Sequence, residues 1–162
     1  MPNADPSVTW KQMLPERLGL LGHRNWIVIA DAAYPWQTAP GIDTRCTGED
    51  QLTVLQETVD VIAKSSHVRP IIYLDGELPL LTEQYAPGID SYRKELDQCL
   101  QGKNVHSLPH DDIIAKLDEA GKAFHVLLLK TTMTLPYTSV FIQLDCGYWG
   151  EEAEQDLRSR FK

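Results

Sequence analysis

The feature that most constrains this chain is the stretch Leu21-Gly22-His23-Arg24-Asn25-Trp26-Ile27-Val28-Ile29-Ala30-Asp31-Ala32-Ala33-Tyr34-Pro35. Ile27 to Ala30 is an unbroken apolar run with β-branched residues. It does not alternate with polar positions, so both its faces must be covered, as in a strand of a parallel sheet carrying helices on each side. Gly22 and Pro35 punctuate the run. His23 stands just before it and Asp31 just after it. Ligands of open α/β sheets gather outside the carboxyl ends of strands, and the sequence places several polar residues at strand ends. The expectation is a single rim carrying His23, Asp31, Tyr137 and His110, the last just inside a helix N-terminus.

The remaining pattern agrees with a layered α/β chain. Pro15 suits the first position of a helix, where its missing N–H costs nothing, and that helix is expected to run to Leu21 and stop at Gly22. Tyr34 to Glu49 reads as a long loop. Leu52, Leu55, Val59 and Ile62 recur at helical spacing within residues 50–64. Ile71 to Leu74 follows as a strand, and Ile89, Tyr92, Leu96 and Leu100 mark another helix. Asn104 to Leu108 reads as a strand and Pro109 to Ala120 as a helix capped by Gly121. Phe124–Leu129 and Val140–Leu144 are two strands joined without a helix. The expected fold is a three-layer α/β/α domain with a mainly parallel sheet, mixed at one edge. A single domain spans residues 1–162, with its core in 14–147 and a charged extension in 148–162.

With 162 residues, a net charge of −8 and a pI near 5.0, the chain lacks the clustered Lys and Arg needed to hold a nucleic-acid backbone. No apolar run reaches the roughly 20 residues of a membrane span, and residues 1–9 do not resemble a signal peptide. A cytoplasmic location, with neither membrane nor nucleic acid as partner, is the expectation. Cys46, Cys99 and Cys146 fit neither a disulfide framework nor a zinc pattern and read as free thiols. Neither GxGxxG nor GxxxxGK[ST] occurs, and GxSxG and HExxH are also absent. Pro109, between His106 and His110, breaks the helical geometry that would place both on one metal. No metal or cofactor is expected.

Two segments carry a family resemblance. Gly22-His23, Ile27-Val28-Ile29-Ala30-Asp31-Ala32 and Tyr34-Pro35 resemble the opening motif of the D-ribose pyranase / L-fucose mutarotase (RbsD/FucU-like) family. Leu129-Lys130-Thr131-Thr132 and Pro136-Tyr137-Thr138-Ser139-Val140 resemble its closing motif. The resemblance covers roughly residues 14–147. It implies a cofactor-independent enzyme that interconverts sugar anomers or ring forms, built as a ring-shaped homo-oligomer, pentamer or decamer, with sites at subunit interfaces. By that resemblance His23, Asp31, His110 and Tyr137 are the catalytic positions. Lys130 and Ser139 fall at substrate-binding positions, although Lys130 replaces an Arg, Ser139 an Asn, and Thr131-Thr132-Met133 a Ser/Thr-Gly-Glu.

The chemistry suits these side chains. Opening a cyclic hemiacetal takes a proton from the anomeric hydroxyl and delivers one to the ring oxygen. A neutral His can do either near pH 7, worth about 10²- to 10⁴-fold. The leading expectation is a monosaccharide mutarotase or pyranase with His23 as principal acid/base, oriented by Asp31 and assisted by His110, and with Tyr137 donating to a sugar oxygen. A second reading is a non-catalytic monosaccharide-binding or regulatory relative. A third is a related isomerase acting on a different small polyol or a sugar acid, whose carboxylate Lys130 and Arg45 would meet.

Overall fold

The computed structural model describes residues 8–161; the polar lead Pro2 to Ser7 lies outside them. Helix α1 (Trp10–Leu18) precedes strand β1 (Trp26–Ala30). Then come β2 (Ile42–Cys46), α2 (Gln51–Lys64), β3 (Val68–Asp75), α3 (Ile89–Cys99), β4 (Val105–Leu108), α4 (His110–Gly121), β5 (Val126–Lys130), β6 (Val140–Cys146) and α5 (Glu151–Ser159). The six strands lie in the order β2-β5-β1-β6-β3-β4. β1 is parallel to β5, β5 to β2, and β3 to β4, while β6 runs antiparallel to both β1 and β3.

β1 is buried at every position, as its unbroken apolar run requires. Alternation sends Ile27 and Ile29 into one core with Leu14, Leu55 and Leu96, from α1, α2 and α3. Trp26, Val28 and Ala30 enter a second core with Ile113 and Leu117 of α4. Three layers result. Ile29 is fully buried, and truncating such a residue to alanine costs about 2–5 kcal/mol.

Three expectations are revised. The antiparallel strand β6 lies inside the sheet, not at an edge. Helix α1 begins earlier than Pro15 indicated: Thr9 and Gln12 form a reciprocal capping box, and Pro15 is inside the helix. An interior proline costs about 3 kcal/mol, offset here by burial of Trp10, Met13, Leu14 and Leu18. The stretch from Tyr34 to Glu49 contains the edge strand β2. Its residues Asp43, Thr44 and Arg45 are only partly buried, so they gave no apolar signal. Among the described residues no helix is long and apolar enough to cross a membrane. The C-terminal extension forms α5, which buries no side chain.

Candidate active site at the carboxyl rim

The position of β6 shapes the site. Residues 131–139 leave β5, arch over the end of β1 and enter β6 on its far side. This brings two distant pieces of chain together. Ser139 Oγ donates to Asp31 Oδ1 at 2.6 Å and accepts the Asp31 N–H at 3.0 Å. Tyr137, just upstream, has a left-handed φ of 56°. A non-glycine residue pays roughly 1–3 kcal/mol to stand in such a region, and such residues cluster at functional sites. Its ring meets the His110 imidazole edge-on, with centroids 5.7 Å apart.

A buried polar frame supports this arch from the α2 side. Gln51, at the start of α2, donates to Ile29 O at 3.0 Å and Thr138 O at 2.8 Å. Thr131 donates to Gln51 Oε1 at 2.7 Å, and Tyr92 to Thr138 O at 2.9 Å. Burial of these groups strengthens the bonds and penalises any left unmade.

His110 is the first residue of α4. Its Nδ1 lies 2.9 Å from Asp75 Oδ1, at the end of β3, and its backbone N–H donates to both oxygens of Glu77 at 2.9 and 3.1 Å. Asp75 is 1% exposed. Burial pushes its carboxyl above the ordinary value; the charges of Glu77 and Asp31 act in the same direction, and the contact with His110 opposes them. Tyr34 packs beside Phe141. Its phenol is raised by burial and by the negative charges of Asp118, Asp31 and Asp75. The fields of Asp31 and Asp75 therefore converge below the rim.

His23 is elsewhere. It precedes β1, whereas Asp31 follows it, and five extended residues put about 13 Å between the two ends of that strand. The expectation of one rim within a single chain is therefore corrected, and so is the pairing of His23 with Asp31. His23 Nδ1 instead lies 3.1 Å from Asp145 Oδ1 at the far end of β6. Arg69 holds the other Asp145 oxygen at 3.0 and 2.8 Å. Burial disfavours the Asp145 charge, but the Arg69 hydrogen bonds, the Cys146 N–H and the charges of Arg69 and His23 together outweigh it and keep this carboxyl below the ordinary value. The His23 side chain is 57% exposed and lines an open groove of about 900 Å³ with Arg69, Asp145 and Trp149. Its neighbour Arg24 also has a left-handed φ, at 79°.

The other anticipated residues divide by face. Lys130 pairs with Ala30 at the end of β5, which puts it on the α4 face of the rim. Arg45 pairs with Leu129, whose side chain belongs to the opposite core. The structure thus gathers Asp31, His110, Tyr137 and Ser139, with Lys130 on the same face, and leaves His23 and Arg45 apart. His106 lies against Tyr73, ring centroids 5.5 Å apart.

Asp75, Glu77, Asp145 and Gln51 were not anticipated. Asp75 carried a usable signal, since it follows the apolar run Ile71 to Leu74 as Asp31 follows Ile27 to Ala30. Gln51 carried none, because a lone Gln at a helix start is ordinary.

The fold and rim together define an α/β protein with a mixed sheet and a His–Asp pair at its carboxyl edge. Two solved structures share that fold: RbsD from Bacillus subtilis complexed with D-ribose (TM-score 0.55, 20% identity, 88% of this chain and 98% of that one) and the fucose mutarotase from Streptococcus pneumoniae in complex with L-fucose (TM-score 0.55, 17% identity, 90% and 98%). No protein-family model and no curated protein sequence matches the chain.

Proposed function

We propose that the chain is a monosaccharide mutarotase or pyranase. The observation that carries this reading is the convergence of His110, Asp31 and Tyr137 at one rim of a fold shared with a D-ribose complex and an L-fucose complex. One imidazole nitrogen is occupied by Asp75, which leaves the other for a sugar. A base removes the anomeric hydroxyl proton as the bond from C1 to the ring oxygen breaks, and an acid protonates that oxygen, giving the open-chain aldehyde. Rotation about the bond to C1 and reversal of both transfers closes the other anomer. Closure through a different hydroxyl changes the ring size. Asp31 and Tyr137 hold sugar hydroxyls, and Lys130, at the end of β5, supplies a positive charge on the same face.

His23 takes part from a second copy. Its free edge and open groove suit a surface that meets another chain's carboxyl rim, as in a closed ring of identical subunits. The complete site then holds two histidines, each backed by its own aspartate, one for each proton transfer. His110 replaces His23 as the principal group contributed by the rim itself.

The test is exchange NMR on a panel including D-ribose, L-fucose and hexoses with the full chain. Accelerated exchange of at least one sugar is expected, and unchanged exchange for all of them sinks the enzymatic reading. The second reading, a sugar-binding relative without catalysis, draws on Thr131, whose hydroxyl is committed to Gln51 and Ala30 O. Binding without acceleration would select it.

A further inference from the structure

We infer that Asp75 is a positioning residue for His110: it holds the imidazole as the Nδ1–H tautomer, so that Nε2 presents a lone pair to the rim. This rests on the acid–base reading of His110 given above. An ionised carboxylate only accepts hydrogen bonds, so the proton in the 2.9 Å contact between Asp75 Oδ1 and His110 Nδ1 belongs to the ring. The Asp75 side chain is wholly buried, and its Oδ2 is shut off from solvent with no hydrogen-bond partner among the described residues. A residue serving stability alone would be apolar or fully bonded at such a place, because an unsatisfied buried acceptor is destabilising. Its orienting contact with His110 accounts for its presence.

The surrounding geometry restricts the ring further. The turn Asp75-Gly76-Glu77 grips residue 110 twice, by the ring through Asp75 and by the backbone N–H through Glu77. Gly76 anchors the turn: its N–H donates to Leu108 O at 2.7 Å, and a Cβ there would stand 3.4 Å from that carbonyl. Tyr137 and Phe141 meet the imidazole edge-on, at 5.7 and 6.2 Å. Besides the ring itself, the charged groups that act on Asp75 are Glu77 from the turn and Asp31 from the end of β1; Asp111 and Asp112 lie exposed in the first turn of α4, and Lys130 ends β5 on the α4 face. The Glu77 and Asp31 charges favour a proton kept between Nδ1 and Asp75.

The decisive measurement is ¹⁵N NMR of His110 in the native full-length protein, at a pH where the ring is neutral. A protonated Nδ1 and an unprotonated Nε2 are expected; the reverse assignment overturns the inference. Asp75→Asn, which conserves shape but offers an amide in place of a carboxylate, should shift the ring toward the Nε2–H form. It should also slow sugar exchange by about 10²-fold, mainly through kcat, and move the pH profile. An Asp75→Asn protein with an unchanged tautomer and unchanged exchange refutes the role. Should that variant fail to fold, the native spectrum still decides. If the native protein accelerates no sugar, the proposed enzymatic function fails while the tautomer is read independently.

Discussion

Ser139 and Asp31 hold each other through two hydrogen bonds across a sequence separation of 108 residues: hydroxyl to carboxylate at 2.6 Å and backbone N–H to hydroxyl at 3.0 Å. Ser139 is nearly buried, at 3% exposure, so this link both closes the rim and sets the direction of the Asp31 carboxylate. Ser139→Ala removes both bonds and leaves the Asp31 N–H without that acceptor. Stability should fall by about 1–2 kcal/mol, read as a lower urea midpoint at unchanged slope. Sugar exchange should fall more steeply than this loss of stability explains.

A composite site predicts complementation between inactive variants. His23→Ala and His110→Ala should each be inactive alone. Mixed and reassembled, they form some interfaces in which an intact His23 meets an intact His110. Random assembly restores about a quarter of native sites. Recovery of exchange after mixing checks this, and a mixture as inactive as its components, despite subunit exchange by mass spectrometry, contradicts it.

Gln51 supports the arch from the α2 side. Gln51→Ala removes its bonds to Ile29 O, Thr138 O and Thr131, although Tyr92 still donates to Thr138 O. A loss of about 2–3 kcal/mol is expected, measured by denaturant unfolding. Hydrogen exchange should quicken in residues 131–139 before it does in β3 and β4.

Two aspartates give opposite pH dependence. Asp75 is raised in the folded state above the ordinary 3.8, so the folded chain binds more protons than the unfolded chain between those two values. Its contribution makes stability fall as pH rises through that window, and Asp75→Asn should flatten this slope. Asp145 is lowered beneath 3.8. Its contribution is present above the ordinary value and is lost as pH falls through the folded one. Arg69→Ala should reduce that acid-side loss, leaving the part sustained by the Cys146 N–H and His23. Unfolding free energies measured across pH 2–8, in steps of about half a unit, separate the two effects.

Much of the layered fold was legible from local pattern. Apolar runs such as Ile27 to Ala30 and Leu127 to Leu129 can only be strands covered on both faces, and Leu52, Leu55, Val59 and Ile62 trace one helical stripe. β2 escaped because an edge strand needs little apolar surface, so Asp43-Thr44-Arg45 resembles a loop. The start of α1 escaped because the Thr9–Gln12 capping box is a weaker signal than a proline.

The sequence by itself determined the strands and helices, the covered sheet, and a set of polar residues at strand ends, because burial and hydrogen bonding impose their periodicities locally. Tertiary structure decided which of those ends meet. The interior place of β6 carries Tyr137 and Ser139 over β1, the end of β3 supplies Asp75 to His110, and the direction of β1 sends His23 and Asp31 to opposite edges. These are consequences of strand order and direction, which depend on contacts between residues far apart in the chain and leave no trace in the periodicity of any one segment.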